Sequence, residues 1–78
     1  MNTATYYVAQ GFELTKGGRL VAGQAQQAQS ASAAIRRAEN MAGKGGAIAF
    51  SRTGDPASGD FEDARILKTF GLIPEDFV

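Results

Sequence analysis

The stretch SASAAIRRAENMAG, residues 30–43, predicts an amphipathic helix, and this helix decides the fold class. Its apolar residues recur at the spacing of one helical face, and most of them are alanine. Ser30 or Ser32 can cap the first turn through its hydroxyl, and Gly43 can end the helix in a left-handed conformation. Because alanine side chains are small, we expect this helix to lie close against a sheet.

Alternating residues predict β-strands on both sides of the helix. Residues 6–14 alternate apolar and other side chains, residues 19–25 follow a Gly-rich turn as the return strand of a hairpin, and residues 47–52 form a third strand. The simplest sheet is antiparallel in the order 2-1-3, with the helix on one face. The pattern leaves open which of the two faces of the first strand lies under the helix.

The segment of residues 61–70 fits two structures. Asp60 as a cap, acidic residues in the first turn, Lys68 in the last turn and Gly71 as a left-handed end favour a short helix. A fourth strand over residues 65–70 is the competing interpretation. We predict the helix, because its capping pattern is complete.

These elements predict a single α+β domain over residues 1–78, in the order ββαβα, with a three-stranded sheet and a tail at residues 74–78. Apolar residues make up 44% of the chain, and 14 of them are alanine, so the core is thin. We expect the sheet face away from the main helix to be covered either by the C-terminal helix or by another molecule. Small chains often gain burial by self-association, most commonly as a symmetric homodimer.

The composition excludes several classes of chemistry. The chain has no Cys and no His, so disulfides, thiolate or imidazole metal ligands and a Ser-His triad are ruled out. The glycines around Lys44 do not have the phosphate-loop order, and the acidic residues after Asp55 do not have the calcium-loop spacing. With no apolar run near the ~20 residues that span a bilayer, we predict a cytoplasmic protein that is not an enzyme and that uses no metal or cofactor.

Charge is balanced overall but not along the chain. Residues 1–54 carry a net charge of +4, and residues 55–78 carry −4. This balance argues against a dedicated binder of duplex nucleic acid. It is consistent with two solvated faces of opposite sign, or with an acidic segment that contacts the basic part of the same or a second copy.

The leading functional hypothesis is a non-enzymatic interaction module that forms a homodimer or binds another protein. Its seam is expected at the uncovered sheet face or at the edge strand of the hairpin. The candidate interface residues are Tyr7, Leu20 and Val21.

The alternative hypothesis is an anion-binding or single-strand-binding surface. The run SRTGDP, residues 51–56, combines a guanidinium, two hydroxyls and a Gly-containing turn. Ser51, Arg52 and Thr53 are therefore candidate anion ligands, with nearby sheet aromatics as a stacking platform. The competing interpretation is an ordinary strand exit with an Asx-type turn at Asp55.

Four short motifs together resemble a family of small, uncharacterised bacterial proteins of unknown function. They are YYV at residues 6–8, the helix run at residues 34–39 with RAE at residues 37–39, AFSRxGDP at residues 49–56 and LxxFGxIP at residues 67–74. The resemblance covers most of the chain and implies a compact bacterial domain. It transfers no activity and no site residue.

Overall fold

A computed structural model describes residues 3–43 and 45–74. The described chain forms one antiparallel sheet with a single helix, which confirms the α+β class. Its elements are β1 (Ala4–Leu14), β2 (Leu20–Ala28), α1 (Ala31–Met41), β3 (Gly46–Asp55), β4 (Asp60–Phe61) and β5 (Arg65–Gly71). The predicted order 2-1-3 is present as β2-β1-β3, and both β4 and β5 pair with the far side of β3. Of the predicted tail, residues 75–78 lie outside the described residues.

The predicted C-terminal helix is wrong, and the sheet has five strands rather than three. Arg65–Gly71 is a strand that pairs antiparallel with β3. Without it, much of β3 would expose one row of backbone N–H and C=O groups, whereas the ladder with β5 satisfies them. Gly71 does adopt a left-handed conformation, with φ of +66°, but it ends a strand. The long-range strand pairing therefore overrides the local capping pattern.

The helix begins as its sequence predicts. Ser30 is the cap, and its hydroxyl accepts a hydrogen bond from the N–H of Ala33 at 3.1 Å. At the other end Gly43 is left-handed, with φ of +46°. Strong local signals at both ends thus set the limits of α1.

The helix packs on the sheet face that carries Tyr7 and Ala9, which we name the helix face. In β3 the same face carries Ala47, Ala49 and Ser51. The sequence left open which face of β1 lies under the helix, and the structure shows that it is the face of Tyr7 and Ala9. A Cβ built on Gly11 would lie 3.5 Å from the terminal methyl of Met41, which shows how closely helix and sheet approach. Five fully buried alanines fill the contact: Ala9, Ala34, Ala38, Ala47 and Ala49.

The opposite side of the sheet, the outer face, has an apolar centre of its own. Because strand residues alternate, Phe12 and Ile48 point away from α1. They are only 3% and 1% exposed, so the centre of the outer face is shielded from solvent. Towards β4 this face carries Tyr6 and Phe61, whose ring centroids lie 5.9 Å apart.

Candidate functional site

Four hydroxyl side chains lie together on the helix face, beyond the start of α1. In the β1–β3 ladder Thr5 is opposite Thr53, and Tyr7 is opposite Ser51. Cross-strand partners point to the same face of a sheet, so the four side chains occupy two neighbouring rows. The Oγ1 atoms of Thr5 and Thr53 are 2.9 Å apart and share a hydrogen bond.

Strand β5 adds a cation to this arrangement. Arg65 lies opposite Ser51 in the β3–β5 ladder and therefore continues the row of Tyr7 and Ser51. A groove of about 580 Å³, which we name the hydroxyl groove, is lined by these residues: Thr5, Tyr7, Ser51, Thr53 and Arg65. Its walls are Ala31 at the start of α1, and Glu62 and Asp63 in the connection between β4 and β5.

The Ser51 side chain is the most informative group in the hydroxyl groove. Ser51 is 8% exposed, yet its hydroxyl makes no hydrogen bond to the described residues. In the same part of the chain, every completely inaccessible polar side-chain atom has a partner. The Ser51 oxygen therefore keeps its small access to the groove, where a hydrogen-bonding ligand can reach it.

The first turn of α1 adds positive electrostatic potential to the groove wall. Ser30 satisfies the N–H of Ala33 through its hydroxyl and the N–H of Ala34 through its carbonyl. The first N–H groups of a helix have no partner within it, and no acidic residue occupies this first turn. Because Ala31 lines the groove, the positive end of the helix dipole lies at its wall.

The structure separates the three predicted anion ligands. Ser51 and Thr53 line the hydroxyl groove, but Arg52 lies between them on the strand and points to the outer face. There its guanidinium is 5.6 Å from the Phe61 ring centroid and donates to the carbonyl of Glu62 at 3.3 Å.

Arg65, the cation that shares the hydroxyl groove with Ser51 and Thr53, is not among the predicted site residues. The available signal was the competing interpretation of residues 65–70 as a strand. An antiparallel pairing with residues 47–52 brings Arg65 to the end of β3 that carries Ser51, and the register shift between Ala49 and Phe50 then places the two residues opposite each other. The helix interpretation concealed this proximity.

A second candidate surface is the free edge of strand β2. This strand pairs with β1 on one side and with no other described strand. Its nine residues, LVAGQAQQA, include no charge and no proline, and six of the nine are exposed. The pairing with β1 is irregular between Ala22 and Ala25, where Gly23 and Gln24 have no partner in the ladder. The Gly23 carbonyl accepts a hydrogen bond from the Gln10 side chain at 2.9 Å.

The structure places two of the three predicted interface residues on this edge. Leu20 and Val21 begin β2, and Val21 is 38% exposed. The neighbouring Leu14, opposite Leu20 in the hairpin, is 44% exposed. Tyr7 instead lies half-buried on the helix face, where it lines the hydroxyl groove.

Comparison of the chain with family models, curated proteins and solved structures finds no match. The resemblance to a small bacterial family therefore stays a prediction. Within residues 3–43 and 45–74, no helix is long and apolar enough to span a membrane. The features of this chain that bear on its function are therefore the hydroxyl groove and the free edge of β2.

Proposed function

We propose that this protein is a small, non-enzymatic interaction module that forms a homodimer through the free edge of β2. The observation that carries the proposal is a nine-residue edge strand without charge or proline. Such an edge presents unpaired backbone N–H and C=O groups, and proteins that stay monomeric commonly protect it with lysine, proline, a β-bulge or a covering element. The irregular pairing of β2 is confined to its middle, and residues 20–22 and 25–28 keep a regular register. An added strand would satisfy these groups by extending the sheet.

A second copy of the chain fits this edge in several respects. Two β2 strands that pair antiparallel along their free edges form a self-complementary, two-fold contact. Because β2 is uncharged, no like charges meet across the contact. Strand β4 lies at the opposite side of the sheet, so the acidic residues of that region stay far apart in the dimer.

Binding of single-stranded nucleic acid at the outer face has weaker support. The aromatic pair of Tyr6 and Phe61 lies there with Arg52 over one ring. The Arg52 guanidinium already donates to the Glu62 carbonyl, and the chain carries no net positive charge. Nucleic-acid affinity depends mainly on cations that contact phosphates, so we favour the protein interface.

The test is the oligomeric state of matched charge variants, measured by light scattering and sedimentation equilibrium at micromolar concentration. We expect a dimer for the wild type and a monomer for Ala25→Lys, because a lysine on this exposed edge opposes strand addition. Ala57→Lys adds the same charge in the exposed turn after β3 and is expected to remain a dimer. Circular dichroism checks that both variants fold.

Two results would contradict the proposal. One is a wild-type protein that stays monomeric across the concentration series. The other is equal dissociation of the Ala25→Lys and Ala57→Lys variants, since a nonspecific effect of charge would then explain the loss of the dimer.

A further inference from the structure

We propose that the hydroxyl groove binds a small zwitterionic ligand, with a carboxylate at one end and an ammonium group at the other. This binding is a separate property from self-association through β2. The strongest observation is Ser51, which is more than nine-tenths buried and lines the groove with a hydroxyl that lacks a partner among the described residues.

The part of the groove lined by Ser51, Arg65 and Ala31 suits a carboxylate. Arg65 continues the strand row of Tyr7 and Ser51, and the N-terminus of α1 begins at the wall. A guanidinium binds a carboxylate with two parallel hydrogen bonds, and the positive end of a helix dipole favours the same charge. Within the described part of the chain, Arg65 makes no ion pair or side-chain hydrogen bond of its own.

Two acidic residues of the groove supply the opposite charge. Glu62 and Asp63 line the groove next to Arg65 in the chain, and neither carboxylate forms an ion pair with a described residue. A simple anion would gain from Arg65 but would be repelled by these two carboxylates. An ammonium group on the same ligand turns that repulsion into attraction.

A metal ion fits the groove less well than an ammonium group does. In residues 3–43 and 45–74, no group of three or more acidic side chains is arranged to hold a metal ion. Glu62 and Asp63 are two carboxylates beside a guanidinium, and they supply too few oxygen ligands for Ca²⁺. The hydroxyls of Thr5 and Thr53 share a hydrogen bond with each other and can still accept from an ammonium group.

The experiment is an NMR titration of the ¹⁵N-labelled full chain with glycine, β-alanine and γ-aminobutyrate, which separate the two charges by increasing lengths. Acetate and methylammonium are the single-charge probes. We expect saturable shifts at the amides of Ala31, Ser51 and Arg65, with at least one zwitterion binding at least fivefold more tightly than either single-charge probe.

Variants assign the binding to the groove. Arg65→Gln is expected to weaken binding at least tenfold, and Ser51→Ala several-fold, while both keep the amide spectrum of a folded chain. Arg36→Gln removes the same charge from the exposed side of α1 and is expected to bind like the wild type.

The proposal is overturned by any of three results. They are the absence of saturable shifts at millimolar probe concentrations, wild-type affinity in Arg65→Gln, and equal affinity for acetate and the best zwitterion. Each result is read from the labelled chain whether it is a monomer or a dimer, so the outcome is independent of the homodimer.

Discussion

Replacement of Ala38 by leucine tests whether helix and sheet touch through alanines. Ala38 is completely buried, and so are Ala9 and Ala49 in the same cluster. The three additional carbon atoms of a leucine side chain therefore cannot extend into solvent from this position. Leucine must therefore push α1 away from the sheet or adopt a strained rotamer, and overpacking of this kind costs about 1–3 kcal/mol.

The middle of that range gives a measurable effect. A loss of about 2 kcal/mol corresponds to a fall in Tm of roughly 8–16 °C for a domain of this size. A chain of this length has a total stability of about 4–12 kcal/mol, so Ala38→Leu should be destabilised but folded. Thermal and urea unfolding, followed by circular dichroism at fixed protein concentration, measure the change.

Arg36→Leu is the matched control for this prediction. Arg36 is exposed on the same helix, and arginine and leucine have similar helix propensities. Its free energy of unfolding should stay within about 0.5 kcal/mol of the wild type. If Ala38→Leu were as stable as Arg36→Leu, the helix would not be in close contact with the sheet, and our description of the core would be wrong.

Two further substitutions test local features of the fold, each by thermal unfolding against a nearby control. Ser30→Ala removes the helix cap and should cost about 1 kcal/mol, whereas Ser32→Ala removes only an exposed hydrogen bond to the Ser30 hydroxyl at 3.3 Å and should cost clearly less; equal losses would contradict the capping role. Gly46→Ala places a Cβ onto the backbone of Leu72, beside the carbonyl oxygen, and should cost at least about 2 kcal/mol. Gly17→Ala meets nothing closer than the Thr15 hydroxyl oxygen at 3.9 Å and should be nearly neutral, so similar stability of the two variants would refute the close approach.

The elements with strong local signals were predictable. Alternation in residues 6–14 indicates β1, and the serine cap and Gly43 set the limits of α1 because both act within one turn of the helix. The segment of β5 carries local signals that are just as clear, but they favour a helix. Its strand structure depends on hydrogen bonds with β3, about twenty residues earlier in the chain, and no local pattern reports those bonds.

The candidate groove was predictable in part for a similar reason. Ser51 and Thr53 stand two residues apart, so their shared face follows from strand alternation alone. Arg65 joins them only through the register of β3 with β5, and Arg52 leaves the set because it points to the other face. Proximity in the sequence therefore pointed to Arg52 as the cation of the groove, whereas the strand register places Arg65 there.

The sequence by itself determined the chemistry that is available and the elements that carry strong local signals. Without His or Cys, the polar groups available to the chain are hydroxyls, carboxylates, guanidinium and ammonium groups, side-chain amides and the backbone, and its alanine stripe requires a closely packed helix. Only the tertiary structure decided which strand remained at the edge and which side chains met in the groove. The physical reason is that cross-strand register joins residues that are distant in sequence, and a shift of one residue in that register moves every side chain of a strand to the other face.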